Sequence, residues 1–475
     1  MKASRVPHTR SGADSPLRSL PAVEKLLESP LLVPQITLYT RPLVTDAARH
    51  VISEIRNRIK EGRVSPGEPE VIELIKENLL GEWPGFMSGV INGTGIILHT
   101  NLGRAPLSKM ALESVSNLCG RYFNLEADLE GGGRGTRSFE MRRLLARLTG
   151  AEDALAVNNN AAAVLLVLVA LANGREAVVS RGELVQIGGG FRVPEIMEQS
   201  GVTLREVGTT NQTSLEDYTK AINDNTALIL KVHLSNFVQK GFVGETSISE
   251  LSALAGEHNL PLVFDLGSGA MLDTSQFGLA PEPTVQQTLR DGADLVCFSG
   301  DKLFGGPQAG IIAGKRKLIK SLLTHSLMRA VRLDKMSAVA LEATARIYLN
   351  KTATEDIPVW RLMSYDLSKL KLRASTVVRK LKAGRIQAEV KDGASMVGGG
   401  TLPEQTLPTA LVSLSMNPPE SAASFARSLR LSRPPVITRI ENDLVLIDMR
   451  TVFPEQDDLL VSVIKAARKR RTDAC

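Results

Sequence analysis

Three cysteines in 475 residues are too few and too scattered for a framework. Cys119, Cys297 and Cys475 stand far apart, which argues against disulfides and against a metal site. A reducing cytoplasm is the compartment to expect. Long apolar runs are also missing. A membrane span needs roughly 20 apolar residues; the most apolar stretch, Ala161 to Ala172, is shorter and reads as a buried helix. No apolar h-region opens the chain, so no secretory leader is expected. Neither Gly-x-x-x-x-Gly-Lys-Ser/Thr nor a well-placed Gly-x-Gly-x-x-Gly occurs, which sets P-loop and dinucleotide chemistry aside. Internal repeats are absent.

What remains is an ordinary globular composition on a chain long enough for two or three domains. The net charge is only +6, but it is unevenly placed. Residues 1–60 hold ten Lys or Arg against five Asp or Glu. Lys465, Arg468, Lys469, Arg470 and Arg471 crowd the other end. Such patches are either solvated faces or contacts for a polyanion.

The most informative stretch runs from Asp294 to Gly310. Leu295 to Phe298 reads as a short buried strand, which breaks into Ser299-Gly300-Asp301-Lys302 and closes on Gly305-Gly306-Pro307. In open α/β sheets ligands sit at the carboxyl ends of strands. A lysine placed there among small and apolar neighbours is a candidate Schiff-base former, since burial lowers its pKa and the free amine is the nucleophile. An isolated Ser-x-x-Lys would more readily be a surface turn. Upstream, however, Val263-Phe264-Asp265-Leu266-Gly267 is a second apolar strand ending in an acid. The interval from Asp265 to Lys302 leaves room for one strand–helix–strand crossover of roughly 30 residues. An amine and a carboxylate then arrive from neighbouring strand ends. Pyridoxal phosphate needs that pair, lysine for the aldehyde carbon and a carboxylate for the pyridinium nitrogen. Asp265 alone could equally be a cap.

In chain order, residues 1–20 are Ser-, Pro- and Arg-rich and expected to be poorly ordered. Leu20 to Leu27 begins a short helix. A longer one follows from about Thr45 to Lys60, with Ala48, Val51, Ile52, Ile55 and Ile59 on one stripe and Arg49, Arg56, Arg58 and Lys60 off it. Another spans about Glu70 to Leu80. Residues 1–82 thus read as a small basic helical domain. Ile91 to Leu107 mixes a short strand with a loop carrying Asn101, His99 and Arg104, a combination that suits a binding surface. His99 reads as a satisfied loop histidine rather than a catalyst. Gly131 to Arg137 is a flexible loop with two guanidiniums, able to approach phosphates or merely to join two helices. Val157-Asn158-Asn159-Asn160 is strand, polar turn and helix start, the leading candidate for a phosphate cradle, although the asparagines could be plain caps. Strands at Glu176–Ser180, Thr203–Val207, Ala227–Val232, Leu262–Asp265 and Leu295–Phe298 alternate with helical patterns. That predicts an α/β fold with a mainly parallel sheet over residues 83–340. Ser326 to Lys335 places Arg329 and Arg332 at i and i+3 of one helix, where paired guanidiniums suit a phosphate-like oxyanion. Residues 341–475 read as a second, α+β domain.

Taken together, Ile91–Leu107, Glu183–Pro194, Lys231–Phe242, Phe264–Gly269, Phe298–Gly310 and Leu327–Lys335 resemble the bacterial selenocysteine synthases, the L-seryl-tRNA(Sec) selenium transferases. The resemblance implies a fold type I pyridoxal-phosphate transferase, and a ring-shaped homo-oligomer, a decamer. It implies seryl-tRNA(Sec) held by the N-terminal domain and selenophosphate as donor, with no DNA, membrane or metal involved. It places the cofactor on Lys302 and selenophosphate on Arg104, Arg329 and Arg332. Spacing adds Asp265 at the pyridinium nitrogen and Asn159, Asn160, Ser299 and Asn236 at the cofactor; the resemblance to this fold type implies that Ser299 touches its phosphate and Asn236 its phenolic oxygen. Two other readings compete: a pyridoxal-phosphate lyase eliminating from a free amino acid or sugar acid, and a tRNA-binding protein with an inactive cofactor site.

Overall fold

The computed structural model describes residues 20–83, 87–187, 190–416, 418 and 420–472. Expectations for residues 1–19 and for the side chains of Arg470 and Arg471 lie outside these. The chain divides into two compact units, residues 1–89 and 90–475.

The first unit is helical: α1 (Val23–Leu27), α2 (Val33–Tyr39), α3 (Arg41–Lys60) and α4 (Glu68–Glu82). α2, α3 and α4 each start with proline in the first turn, where its missing N–H costs nothing. The stripe read from the sequence is the core-facing one. Ala48, Val51, Ile52, Ile55 and Ile59 of α3 pack with Val71, Ile72, Ile75 and Leu79 of α4. Arg49, Arg56, Arg58 and Lys60 stay exposed.

In the second unit, α5 (Lys109–Cys119) and α6 (Phe139–Thr149) precede β1 (Asp153–Val157) and α7 (Asn160–Ala172). The central sheet continues with β2 (Glu176–Ser180), β3 (Thr203–Val207), β4 (Thr226–Val232), β5 (Leu262–Gly267), β6 (Leu295–Ser299) and β7 (Gly310–Gly314). Its spatial order is β1-β7-β6-β5-β4-β2-β3. β2 to β6 pair in parallel, whereas β7 runs antiparallel to both β1 and β6. All residues of β4, β6 and β7 are buried, as expected of strands covered on both faces. The crossover from β5 to β6 goes through the helix Val285–Arg290, and the two strands are neighbours, so Asp265 and Lys302 leave adjacent strand ends.

A second, antiparallel sheet follows: β8 (Ala388–Met396), β9 (Thr406–Ser415), β10 (Arg439–Glu441) and β11 (Leu444–Asp448), in the order β8-β9-β11-β10. It is laced to the start of the unit. Ile91–Asn92 pairs in parallel with Val436–Ile437, and the Gly95 N–H donates to Thr451 Oγ1 at 3.0 Å. Asp448, fully buried, accepts from Ser395 Oγ at 2.8 Å and Thr409 Oγ1 at 2.7 Å.

One expected element is different. Ser326 to Lys335 is not a single helix. A 3₁₀ turn spans Ser326–Arg329 and a separate helix begins at Lys335. Asp334 caps that helix by accepting from the Met336 and Ser337 N–H groups, while His325 caps the turn. Between them, the backbone of Arg332 bridges to Val157 of β1. Two good caps and a strand partner outweigh the helical pattern, and Arg329 and Arg332 do not share a helix face.

Candidate active site

The Lys302 side chain is buried, only 5% exposed, just beyond the end of β6. Burial lowers its pKa. The Asp265 carboxylate opposes the shift, Arg104 adds to it, and Asp301 and Glu282 oppose it. Asp265, 4% exposed on β5, is pushed up by burial and pulled down by its bond from Asn160, by Lys302 and by His233. The two groups therefore feel one another's field inside a dry site, where such fields are strong. Asn160 Nδ2 donates to Asp265 Oδ1 at 2.8 Å, so its amide orients the acid. Asn159 instead caps α7, accepting from the Ala162 N–H at 2.9 Å. The turn needs glycine beneath it: a Cβ at Gly310 would collide with the Asn159 carbonyl. Ser299 is buried at the last position of β6.

From the second sheet's side comes the loop Gly398–Gly400. Lys302 Nζ lies 3.4 Å from the Gly400 carbonyl oxygen. A Cβ on Gly400 would stand 2.9 Å from Asn236 Oδ1 and 3.0 Å from Lys302 Nζ. Asn236 and Lys302 thus converge on one point that only glycine leaves open. Beside them His233 Nε2 lies 3.1 Å from Glu282 Oε1, and the His233 N–H donates to the Asp265 carbonyl at 3.0 Å.

Arg104 sits at φ 59°, a strained conformation for a residue with a Cβ. Its guanidinium donates to Asp301 Oδ2 at 2.9 Å, and the Ala105 N–H to the Asp301 carbonyl at 3.3 Å. The arginine loop is thereby clasped to the residue next to Lys302. Arg332 is held elsewhere, by Glu126 Oε1 at 3.3 Å. Arg329 ends its turn exposed. Sequence reasoning missed Asp301, Glu126, Glu282 and Gly400; only Gly400 left a trace, as part of a glycine triplet.

Polar atoms beside the amine and acid are left over: Asn160 Oδ1 and Ser268 Oγ are buried with no hydrogen-bond partner. His99 Nδ1, in the Arg104 loop, is buried and unpartnered too. Contrary to its sequence reading, His99 is therefore unsatisfied at Nδ1. Buried polar groups are normally paired, so a site with these atoms to spare, a lysine with depressed pKa and a buried acid fits a polar aromatic aldehyde such as pyridoxal phosphate.

Residues 90–453 match the L-seryl-tRNA selenium transferase family, and residues 17–56 match its selenocysteine synthase N-terminal region. The chain belongs to the L-seryl-tRNA selenium transferase family. It is 46% identical to the L-seryl-tRNA(Sec) selenium transferase of Carboxydothermus hydrogenoformans, covering 93% of this chain and 96% of that one. It is 44% identical to that of Geobacter metallireducens, covering 92% and 96%. Among solved structures, D-glucosaminate-6-phosphate ammonia-lyase shares the fold at a TM-score of 0.57 and 20% identity, over 82% of this chain and 98% of that one. The chain is accordingly a fold type I enzyme of selenocysteine synthesis, acting on L-seryl-tRNA(Sec) with pyridoxal phosphate as cofactor. No helix among the described residues is long and apolar enough to cross a membrane.

Proposed function

We propose that the chain converts L-seryl-tRNA(Sec) to selenocysteinyl-tRNA(Sec) with selenophosphate as donor, at a site built on Lys302, Asp265, Asn159, Asn160, Ser299 and Asn236. The first unit, with its basic α3, would hold the tRNA, and the second would carry the chemistry. The working assembly would be a cytoplasmic homo-decamer. One observation carries the assignment: a buried lysine of lowered pKa and a buried aspartate leave adjacent parallel strands.

Bound there, pyridoxal phosphate supplies an electron sink that stabilises negative charge at the seryl Cα, which makes loss of the β-hydroxyl and addition of selenium at Cβ accessible. Lys302 anchors the cofactor and, once released, moves the proton at Cα. Its lowered pKa leaves the amine free to accept that proton. Asp265, oriented by Asn160, keeps a proton on the ring nitrogen. Asn236 would meet the phenolic oxygen and Ser299 the phosphate, beside the N-terminus of α7. Asn159 supports that helix start through its cap. Arg104, Arg329 and Arg332 would bind the donor's anionic end and aim its selenium at Cβ. Asp301 holds Arg104 for that task.

The test is the Lys302→Ala variant. It should lose both the visible absorbance of the bound cofactor and turnover, while keeping its melting temperature within a few degrees. An unchanged spectrum would remove the lysine from its role.

A further inference from the structure

Hydroxide is a poor leaving group, so loss of the seryl β-hydroxyl needs a proton delivered to its oxygen. The charged groups that act most on the Lys302 amine are Asp265, Arg104, Asp301 and Glu282, and each is engaged already. Asp265 Oδ1 accepts from Asn160 Nδ2 at 2.8 Å, Asp301 Oδ2 from Arg104 Nη1 at 2.9 Å, and Glu282 Oε1 lies 3.1 Å from His233 Nε2. His99 is different. Its Nδ1 is buried and has no hydrogen-bond partner, where buried polar atoms are normally paired. His325 shows the ordinary case in the same chain, its Nδ1 accepting the Leu327 N–H at 3.2 Å.

The backbone that carries this imidazole is fixed. The His99 carbonyl accepts the Leu102 N–H at 3.0 Å and the Arg104 N–H at 3.1 Å. Just upstream, the Ile97 and Leu98 N–H groups donate to the Met396 and Val397 carbonyls at 3.0 Å and 2.8 Å. The frame is also tied to Lys302 from both sides. Downstream, the Arg104 guanidinium and the Ala105 N–H both hold Asp301, the residue before the lysine. Upstream, the Leu98 carbonyl packs on the glycine triplet: a Cβ at Gly399 would come within 2.5 Å of that oxygen. The next residue, Gly400, presents its own carbonyl to Lys302 Nζ at 3.4 Å. His99 is the residue between these two attachments. Imidazole is the side chain best suited to give and take protons near neutral pH.

We propose that His99 is the general acid of the reaction and delivers a proton to the seryl β-oxygen as it leaves. This rests on the function proposed above for the site. The Cα proton passes to the Lys302 amine, and the electron pair it leaves becomes the second Cα–Cβ bond. The Cβ–O bond breaks with its pair on oxygen. The imidazolium proton joins that oxygen, water departs, and the ring is left neutral until solvent returns a proton to it. Lys302 and His99 thus divide the two proton transfers, one at Cα and one at the leaving oxygen.

The experiment compares the full-length, cofactor-loaded protein with its His99→Gln and His99→Asn variants on two substrates. Seryl-tRNA(Sec) loses hydroxide and needs the proton; tRNA(Sec) charged with β-chloroalanine loses chloride and does not. Both variants should keep the visible spectrum of the bound cofactor. They should convert seryl-tRNA(Sec) about 10²–10⁴-fold more slowly, the usual worth of a general acid, with KM for the tRNA little changed. The chloro substrate should be converted at close to the parent's rate. Exchange of the Cα hydrogen with D2O, followed by mass spectrometry without donor, should persist, because Lys302 moves that proton. The ratio of the two substrates is read within each variant, so a lower folded fraction cancels. An equal loss on both substrates, or exchange that falls in step with turnover, would reduce His99 to a support for its loop and overturn the proposal. Full turnover of seryl-tRNA(Sec) in either variant would assign the proton to another donor, Lys302 included, and overturn it too. A parent protein that neither exchanges the Cα hydrogen nor converts seryl-tRNA(Sec) would sink the function proposed for the site, and this role with it.

Discussion

At the scale of single residues, the site turns on how Lys302 ionises. Burial is the largest influence on its amine and lowers its pKa from the ordinary 10.5. Only the unprotonated amine attacks an aldehyde, so the rate of cofactor loading by the apo-protein should rise with pH and level off at a midpoint below 10.5. Asp265 is the largest of the charges opposing that shift. Asp265→Asn should therefore move the midpoint lower still; an upward move would contradict the assignment. The same variant should cut kcat on the order of 10²–10³-fold, the usual loss when one charge-stabilising group is removed, with the loaded cofactor still visible. The meeting of Lys302 and Asp265 at neighbouring strand ends was legible in the sequence because each follows an apolar strand into a glycine-rich turn. Asp301, Glu282 and Gly400 were not. Their roles arise from contacts across 197, 49 and 98 residues, and no local pattern encodes such a meeting.

At the scale of elements, the junction between β7 and α7 is a close fit. Gly310 opens β7 directly against the Asn159 carbonyl, which fixes where the helix start lies. Gly310→Ala should cost about 1–3 kcal/mol, as overpacking does, read as a lower midpoint in urea, and should weaken cofactor retention because Asn160 moves with the turn. Destabilisation with normal retention would separate the helix start from the site. β2 to β6 were readable within two residues at their ends, since five short β-branched runs alternate with helical periods. β7 was not, because Ile311-Ile312-Ala313 is too short a run between glycines to declare a strand, and its antiparallel pairing depends on two distant partners. The Ser326–Lys335 stretch misled for the opposite reason: its period is helical, but Asp334 and His325 impose their own caps and β1 takes the backbone of Arg332.

At the scale of the whole molecule, the proposed division puts tRNA binding in the first unit and the chemistry in the second. Residues 1–89 pack around their own helical core, and every candidate for the cofactor lies in residues 90–475. Removal of residues 1–89 should abolish seryl-tRNA(Sec) binding in a filter assay and leave the cofactor spectrum in place; unchanged tRNA affinity would place the tRNA site elsewhere. The basic first unit was legible from charge and helical period, whereas the lacing of Ile91–Asn92 to Val436–Ile437 was not, because a two-residue strand carries no pattern. The most direct measurement pairs the full-length protein and its Lys302→Ala variant with seryl-tRNA(Sec) and selenophosphate and scores selenocysteinyl-tRNA(Sec). The account predicts product from the first and none from the second. Equal product from both, or free-serine turnover in place of tRNA product, would contradict it.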